Sequence, residues 1–482
     1  MDVMLSYDGE AMDALNSSDI MKLINLHQLN QVPVFQMNMN YYLGEHEILD
    51  KTRGEADAPN AQPVCNHAKD IADTASGYFM GNPISYRLAG REDDVRAQEG
   101  FDRLMGAFDY ATVDDDDQEN ALMLSIEGKT YEYIYAAPDV AELREQPIDP
   151  QNAFIVYDQS IEHKELFGVY YYTKKNDLDQ DGKETEVWYV LVMTETELKY
   201  YEIPKDSEDE VLPYLVEPHN LGYVPLVEYK NNRFAIGDFE QQIGLIDAYN
   251  TMTADRINDK EQFIDAILVI YGAILGADSQ SASEAQAELQ QKKLLELPID
   301  AKAEYLVRQL DESGMEILRD ALKEDIYTFS HVPNLTDENF AGNSSGVAME
   351  YKLLGLEMLT KTKERWYRRG LRKRINIFLH YLGLHGVVLD EKDIEVQFSR
   401  SLPKNLLELA QIVATLDGEV SQRTRIALLP FVEDPDAEIE ALEAENNNAA
   451  AAEFSTFSAA TEAGTDNTPP KDEGDDVNGD EE

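Results

Sequence analysis

The chain has a single cysteine, Cys65, in 482 residues. That excludes an intrachain disulfide and any zinc site built on several thiolates, and it fits a reducing or redox-indifferent compartment. Cys65 and His67 stand close in sequence, but a lone pair of this kind is more often a local coincidence than a metal site. The eight histidines are scattered, with no spacing that suggests a metal or catalytic set. No apolar run approaches the ~18 residues that a membrane helix needs, and the segment MDVMLSYDGE lacks the basic, apolar and small-residue order of a signal peptide. Positive charge is scarce as well: 41 Lys and Arg stand against 94 Asp and Glu, a formal net charge of −53. Such a surplus repels duplex DNA at long range and argues against a conventional DNA-binding module. What the sequence does have is length and 43% hydrophobic residues, enough for two or more cores.

The order of patterns predicts an α+β fold, predominantly helical. Ser17 and Ser18 can cap a helix from about Asp19 that Pro33 ends, and YYLGEHEIL (Tyr41–Leu49) reads as a strand or extended arm. Asn66 can cap a helix ending at Gly77, followed by the strand ISYRL. A further helix spans roughly Asp93–Tyr110, Asp114–Asp117 reads as a solvated loop, and Asn120–Ile126 as a short helix. From Thr130, segments rich in aromatic and β-branched residues (YEYIY, AFIVYD, LFGVYYYT, EVWYVLVMT, LKYYEI) predict an antiparallel sheet. A helix from Asp238 to about Leu275, with Ile243, Ile246, Ile257, Ile264 and Leu268 on one face and Asp247, Asp255, Asp259 and Asp265 on another, is paired with a helix over Glu312–Phe329. Between them lies a compact insert.

The segment His331–Leu384 organises the rest. A loop containing Pro333, Asn334, Asn339, Gly342, Asn343, Ser344, Ser345 and Gly346 feeds a very long helix. Val347, Tyr351, Leu354 and Met358 form one apolar stripe on that helix, and Leu371, Ile375, Phe378 and Leu382 a second. At ~100° per residue the step from Met358 to Leu371 turns the second stripe nearly opposite to the first, so the helix changes partners midway, where Gly370 could allow a bend. Eight cations lie between or beside the stripes: Lys361, Lys363, Arg365, Arg368, Arg369, Arg372, Lys373 and Arg374. Lys361, Arg365, Arg368 and Arg372 share one face. In so acidic a chain this face calls for a partner, either carboxylates of a neighbouring subunit or, with less weight, nucleic acid. A short strand (VVLDEKDIEVQFS) and helices near Lys404–Leu416, Gln422–Leu429 and Asp436–Ala452 follow. The stretch from Thr461 is too polar to bury anything and is expected to be disordered.

Three motifs resemble catalytic or metal sites without their context. Gly342-Asn343-Ser344-Ser345-Gly346 spells the G-x-S-x-G elbow of hydrolases, but the polar LTDENFA ahead of it cannot form the buried strand an elbow needs, and no triad order follows from His380 and His385. Gly128-Lys129-Thr130 looks like the end of a phosphate loop, yet Met123 replaces the first glycine and helix precedes strand. No ATP site is expected. Asp177, Asp179, Asp181 and Gly182 match half of an EF-hand loop, but Trp188 takes the place of the bidentate Glu and strands flank it; a hairpin turn is expected, with weak divalent-cation binding as a minor alternative. Neither a cofactor nor catalysis is expected.

The segments YYLGEHEIL, NHAKDIADTASGYFMGNPISY (Asn66–Tyr86), EGKTYEYIY (Glu127–Tyr135), HNLGYVPLVEYKNN (His219–Asn232), DFEQQIGLIDAYNTMTADRINDKEQFIDAIL (Asp238–Leu268) and NFAGNSSGVAMEYK (Asn339–Lys352) occur in an order and spacing, over about Tyr41–Glu440, that resembles the bacteriophage portal (head-to-tail connector) family of long-tailed phages. The resemblance implies a non-enzymatic, ring-shaped homo-oligomer, typically a dodecamer, at one capsid vertex, with double-stranded DNA passing through its channel during packaging and ejection. It implies a wing (1–235), a stem helix (236–275), a clip (276–311), a second stem helix (312–330), a tunnel loop (331–345), a long wing helix with returning strand (346–400), a crown (401–460) and the acidic tail (461–482). On this mapping His331, Asn334, Asn339, Asn343 and Ser344 face the channel. Lys292, Lys293, Leu294 and Leu295 of the clip dock the terminase large subunit and later a head-completion adaptor. Major capsid and scaffolding proteins are further implied partners, and the implied location is the virion after assembly in the host cytoplasm, without membrane. The rival reading is an acidic DNA mimic that binds a basic partner, which explains the charge but not the long helices and their insert.

Overall fold

The structure, a computed structural model, describes residues 4–52, 59–91, 93–137, 142–176, 185–205, 210–263, 267–271, 302–306, 312–335, 346–400 and 406–429, with a few isolated positions beyond. The chain divides into two units, Met1–Ser401 and Leu402–Glu482.

Helix α1 (Ser17–Asn30) is capped by Asn16, one residue earlier than expected, whose side chain accepts from the Asp19 amide. Pro33 does not end it. It lies in the first turn of α2 (Val32–Leu43), where the missing N–H has no helical partner to lose. Tyr41–Leu43 therefore finish a helix instead of opening a strand; Gly44, at φ +90°, stops α2 in the left-handed conformation, and a 3-10 turn follows at Glu47–Asp50. Asn66 caps α3 (His67–Met80) as expected, accepting from the Lys69 amide, but α3 runs past Gly77.

Strand β1 (Ser85–Leu88) leads to α4 (Val95–Ala111), capped by Asp94, and Thr112, at φ +58°, turns the chain directly into α5 (Val113–Glu127). The aspartate run expected as a loop is thus the first turn of α5, where the unpaired amides of a helix start favour carboxylates. Its last member, Asp117, is buried.

The strands form antiparallel sheets, as expected. β2 (Lys129–Ala136) is the middle of a three-stranded sheet between β3 (Leu143–Ile148) and β9 (Leu226–Lys230). β4 (Ala153–Tyr157), β5 (Glu165–Asn176), β6 (Thr185–Met193), β7 (Glu197–Pro204) and β8 (Leu215–Pro218) form a five-stranded meander. One face of the meander packs Phe154, Phe167, Val169 and Val190 against Ile20, Leu23 and Ile24 of α1. Part of the other face is covered by the smaller sheet, and the sheets meet at Gly168, where an added Cβ would come within 2.9 Å of the Leu226 side chain.

Helix α6 (Ile243–Phe263) is shorter than the helix expected to reach Leu275. Ile267–Tyr271, a β-branched-rich ILVIY, is a strand, β10, paired antiparallel with β11 (Lys302–Leu306). Helix α7 (Glu312–Ser330) then packs against α6. The last long element of the first unit is α8 (Gly346–Leu384), 39 residues without interruption, followed by β12 (Ile394–Gln397), which pairs with β1. Its second stripe, Leu371, Ile375, Phe378 and Leu382, is buried in the largest core with Phe79, Leu104, Phe108 and Leu124. The second unit contains α9 (Leu406–Thr415) and α10 (Gln422–Ile426), the latter capped by Ser421.

Candidate functional site

The basic segment of α8 divides into a buried set and an exposed set. Arg374 is fully buried. Its Nε donates to both carboxylate oxygens of Glu132 on β2, at 3.1 and 3.0 Å, and its NH2 donates to Asp117 Oδ1 on α5 at 2.8 Å. Glu145 of β3 brings a third carboxylate, 3.3 Å from Nε. The Tyr367 hydroxyl donates to Asp117 and the Tyr229 hydroxyl to Glu132, while the two rings stack with centroids 4.4 Å apart. Burial, reinforced by Glu132 and Asp117 and opposed by Arg374, pushes Glu145 well above the usual carboxylate range.

Lys363 is buried too. It forms an ion pair with Asp238, and its ammonium donates to Ser125 Oγ at 2.9 Å, while Asn231 donates to the other Asp238 oxygen at 2.9 Å. One lysine thus joins α8, α5 and the entry to α6. Lys373 pairs with Glu165 and donates to the Leu226 carbonyl at 2.7 Å.

The four cations singled out on one face lie on the other side. Lys361 is 3.4 Å from Glu357 and Arg372 3.2 Å from Glu391. Arg368 donates to the Val396 carbonyl at 2.8 Å and lies over the Phe398 ring. Arg365 is exposed, and Arg369 covers the Trp366 ring at 4.0 Å. Lys361, Arg368 and Arg372 thus contact groups of their own chain. Sequence spacing gave no warning that Lys363, Lys373 and Arg374 turn inward, because their acidic partners come from distant segments. Asp117 within its run and the paired Tyr229 and Tyr367 carry no recognisable motif.

At the other end of α8, the root of the loop is ordered by Val332, which is 1% exposed. His331 is exposed with φ +60°, and Asn334 is half-buried. Together with Lys323 and Tyr327 of α7 and Lys352 and Gly355 of α8, they line an open groove of about 760 Å³. Behind it, Tyr327 donates to Asp70 at 2.7 Å and contacts His67, whose imidazole is shifted downward by burial. Asn339, Asn343 and Ser344 lie outside the described residues, as do Lys292, Lys293, Leu294 and Leu295 and the trio Asp177, Asp179 and Asp181.

The acidic side expected on α6 is partly covered. Asp247 accepts from the Tyr41 hydroxyl at 2.7 Å, and Asp255 lies 3.8 Å from Lys51. Between them the buried Asn250 accepts from the Cys65 amide at 2.9 Å and contacts His46, and Asn258 accepts from the Ala61 amide at 2.7 Å. Tyr41, His46, Lys51, Ala61 and Cys65 are thus held against α6 by side chains of that helix.

The first apolar stripe of α8 behaves unlike the second. Tyr351, Leu354 and Met358 are 75%, 53% and 64% exposed, whereas Leu371, Ile375 and Phe378 are essentially inaccessible. The first half of the helix thus buries Leu353 and Leu356 while presenting Tyr351, Leu354 and Met358 to solvent.

Known proteins are similar to this chain in sequence, one of them over most of its length. The family described as phage portal protein, SPP1 Gp6-like, matches residues 22–452. The portal protein of Bacillus phage SPP1 is 25% identical over 456 residues, 89% of this chain and 86% of that protein. The portal protein of Clostridium phage phiCD119 is 25% identical over 293 residues, 60% of this chain and 63% of that protein. A chain from the neck of an empty GTA particle superposes with a TM-score of 0.43 at 11% identity, over 75% of this chain and 89% of that one, too loosely to carry an argument. With the family match extending from α1 into the second unit, the chain belongs to the SPP1 Gp6-like phage portal proteins.

Proposed function

We propose that the chain assembles as a ring-shaped homo-oligomer, a dodecamer, at the unique vertex of a phage head, and that double-stranded DNA passes through its channel during packaging and ejection. The observation that carries the ring is the exposed stripe of Tyr351, Leu354 and Met358 on a helix that buries Leu353 and Leu356 in the same half. A closed ring is built from heterologous contacts, which need two dissimilar faces on each subunit, and an apolar stripe left bare in the single chain is one such face. The exposed Arg365 and Arg369 follow it along α8, suitably placed for carboxylates of an acid-rich neighbour.

In this reading α6 and α7 are the stem, the segment beyond β10 and before α7 is the clip, and the groove around His331 and Asn334 is the root of a loop that reaches the channel. Neutral polar residues such as Asn339, Asn343 and Ser344 suit a wall that must release phosphates at every step, and the net charge of −53 keeps the wall from gripping DNA. The clip residues Lys292, Lys293, Leu294 and Leu295 would meet the terminase large subunit during packaging and an adaptor afterwards, with capsid and scaffolding proteins around the wing.

Electron microscopy and sedimentation of the purified chain test the ring. Rings with a central hole are expected, and Tyr351→Asp with Met358→Asp should leave folded monomers. Compact monomers from the parent chain would overturn the proposal.

A further inference from the structure

We propose that the uncovered half of the five-stranded sheet is a docking face for an arginine-bearing segment of another protein. The smaller sheet covers the half around Gly168 and Met193. Beyond it, cross-strand registry places Tyr172 opposite Tyr189, Tyr189 opposite Glu202 and Tyr200 opposite Leu215, while Leu191, also opposite Tyr200, packs into the covered half. The Tyr172 and Tyr189 rings stack with centroids 5.3 Å apart and planes 9° apart, and Tyr214 packs beside Tyr200 at 6.2 Å. Tyr172, Tyr214 and Leu215 are 41%, 58% and 42% exposed. Scattered exposed tyrosines need no explanation, but the exposed Tyr172 and Tyr214 grouped with the half-buried Tyr189 and Tyr200 and with Leu215 form the kind of rigid aromatic surface that anchors interfaces.

The charges on this surface select the partner. Glu202 lies opposite Tyr189 across the strands and Glu217 adjoins Tyr200; after burial, each carboxylate helps push the neighbouring phenol up. Lys174, opposite Val187 on the same face, holds its ammonium 5.6 Å from the centre of the Tyr189 ring, an example within the chain of these rings taking a cation. Rings beside carboxylates match a guanidinium, which stacks on the ring plane while its N–H fork reaches the acid. A nucleic-acid platform would also use aromatic rings but needs a cationic groove, whereas here carboxylates flank the rings in a chain of net charge −53.

The test is fluorescence anisotropy of the full-length chain with two labelled peptides of equal length, an Arg-Gly repeat and a Lys-Gly repeat, at about 0.15 M salt. General attraction to an acidic protein treats the two alike. Stacking on tyrosines should favour the arginine peptide by about fivefold or more. Tyr172→Ser with Tyr214→Ser should remove that preference without changing the melting temperature, both side chains being exposed. Glu202→Gln with Glu217→Gln, which leaves every ring in place, should weaken the arginine peptide more than the lysine peptide. Equal binding of the two peptides would overturn the proposal. So would a change of oligomeric state in the tyrosine variant, which would assign the face to a second copy, or a loss of single-stranded DNA binding in that variant, which would assign it to nucleic acid.

Discussion

Gly370 and Tyr229 touch where no side chain could fit: a Cβ at position 370 would lie 2.4 Å from the Tyr229 ring and 3.0 Å from the Glu228 carbonyl. The glycine in the middle of α8 thus allows the helix to lie directly on β9. Tyr229 cannot yield, being fully buried, stacked on Tyr367 and hydrogen-bonded to Glu132. Gly370→Ala should destabilise by about 1–3 kcal/mol despite the better helix propensity of alanine. Gly383→Ala, later in the same helix with nothing within 4 Å of its Cβ, should stabilise by up to about 1 kcal/mol. Paired denaturant titrations of the two variants check the contrast.

Removing Arg374 strands the two carboxylates that it neutralises. Arg374→Met should cost about 3–5 kcal/mol, the usual penalty for leaving buried charge unpaired. Glu145→Gln should cost less, about 1 kcal/mol, because burial already favours the uncharged form of the carboxyl it replaces. Comparable losses from both substitutions in equilibrium unfolding would show that Glu145 is ionised in the folded chain.

Glu127, at the end of α5, is wholly inaccessible and accepts from Gln151 at 3.1 Å; burial, with Asp149 nearby, pushes it up to about 9. In the unfolded chain the same carboxyl loses its proton near pH ~4.3. Between these values the folded state holds a proton that the unfolded state has released, so stability falls as pH rises from about 4.5 to about 9. Asp116, pushed up to about 7 chiefly by burial, adds to the decline over the lower part of that window. Glu127→Gln should flatten the slope, raising stability at pH 8 by on the order of a few kcal/mol while changing little at pH 4. Melting curves across that range give the answer.

For the loop after α7, Asn339→Lys with Asn343→Lys would add positive charge where passing phosphates are proposed to meet neutral groups. Packaging through rings carrying both lysines should slow at low salt and recover as salt rises. A rate equal to the parent at low salt would place the loop away from the DNA.

Elements with strong local signals were legible in the sequence. The helical period from Tyr351 to Leu382, the Asn66 cap and the β-branched strands after Thr130 all have their expected form. Pro33 misled because a proline is as compatible with the first turn of a new helix as with the end of an old one. The Asp114–Asp117 run misled because its composition suits solvent, whereas Asp117 is held inside by an arginine 257 residues away. Lys363 and Arg374 were legible as charges but not as buried ones. Their carboxylate partners are brought together by tertiary structure alone, and no spacing along the chain encodes that. Ile267–Tyr271 shows the remaining difficulty, since a short apolar run after a helix continues its pattern equally well as helix or strand.

The two halves of α8 give the molecule a mechanical property. Over its 39 residues the helix is a continuous rod of about 58 Å, gripped from Lys363 and Tyr367 onward by α5 and β9 and further along by Leu371, Ile375, Phe378 and Arg374. A push or pull applied at Gly346 is therefore delivered along backbone hydrogen bonds into the sheet that carries Glu132 and Tyr229. The loop end and the α/β body thus form the two ends of a lever.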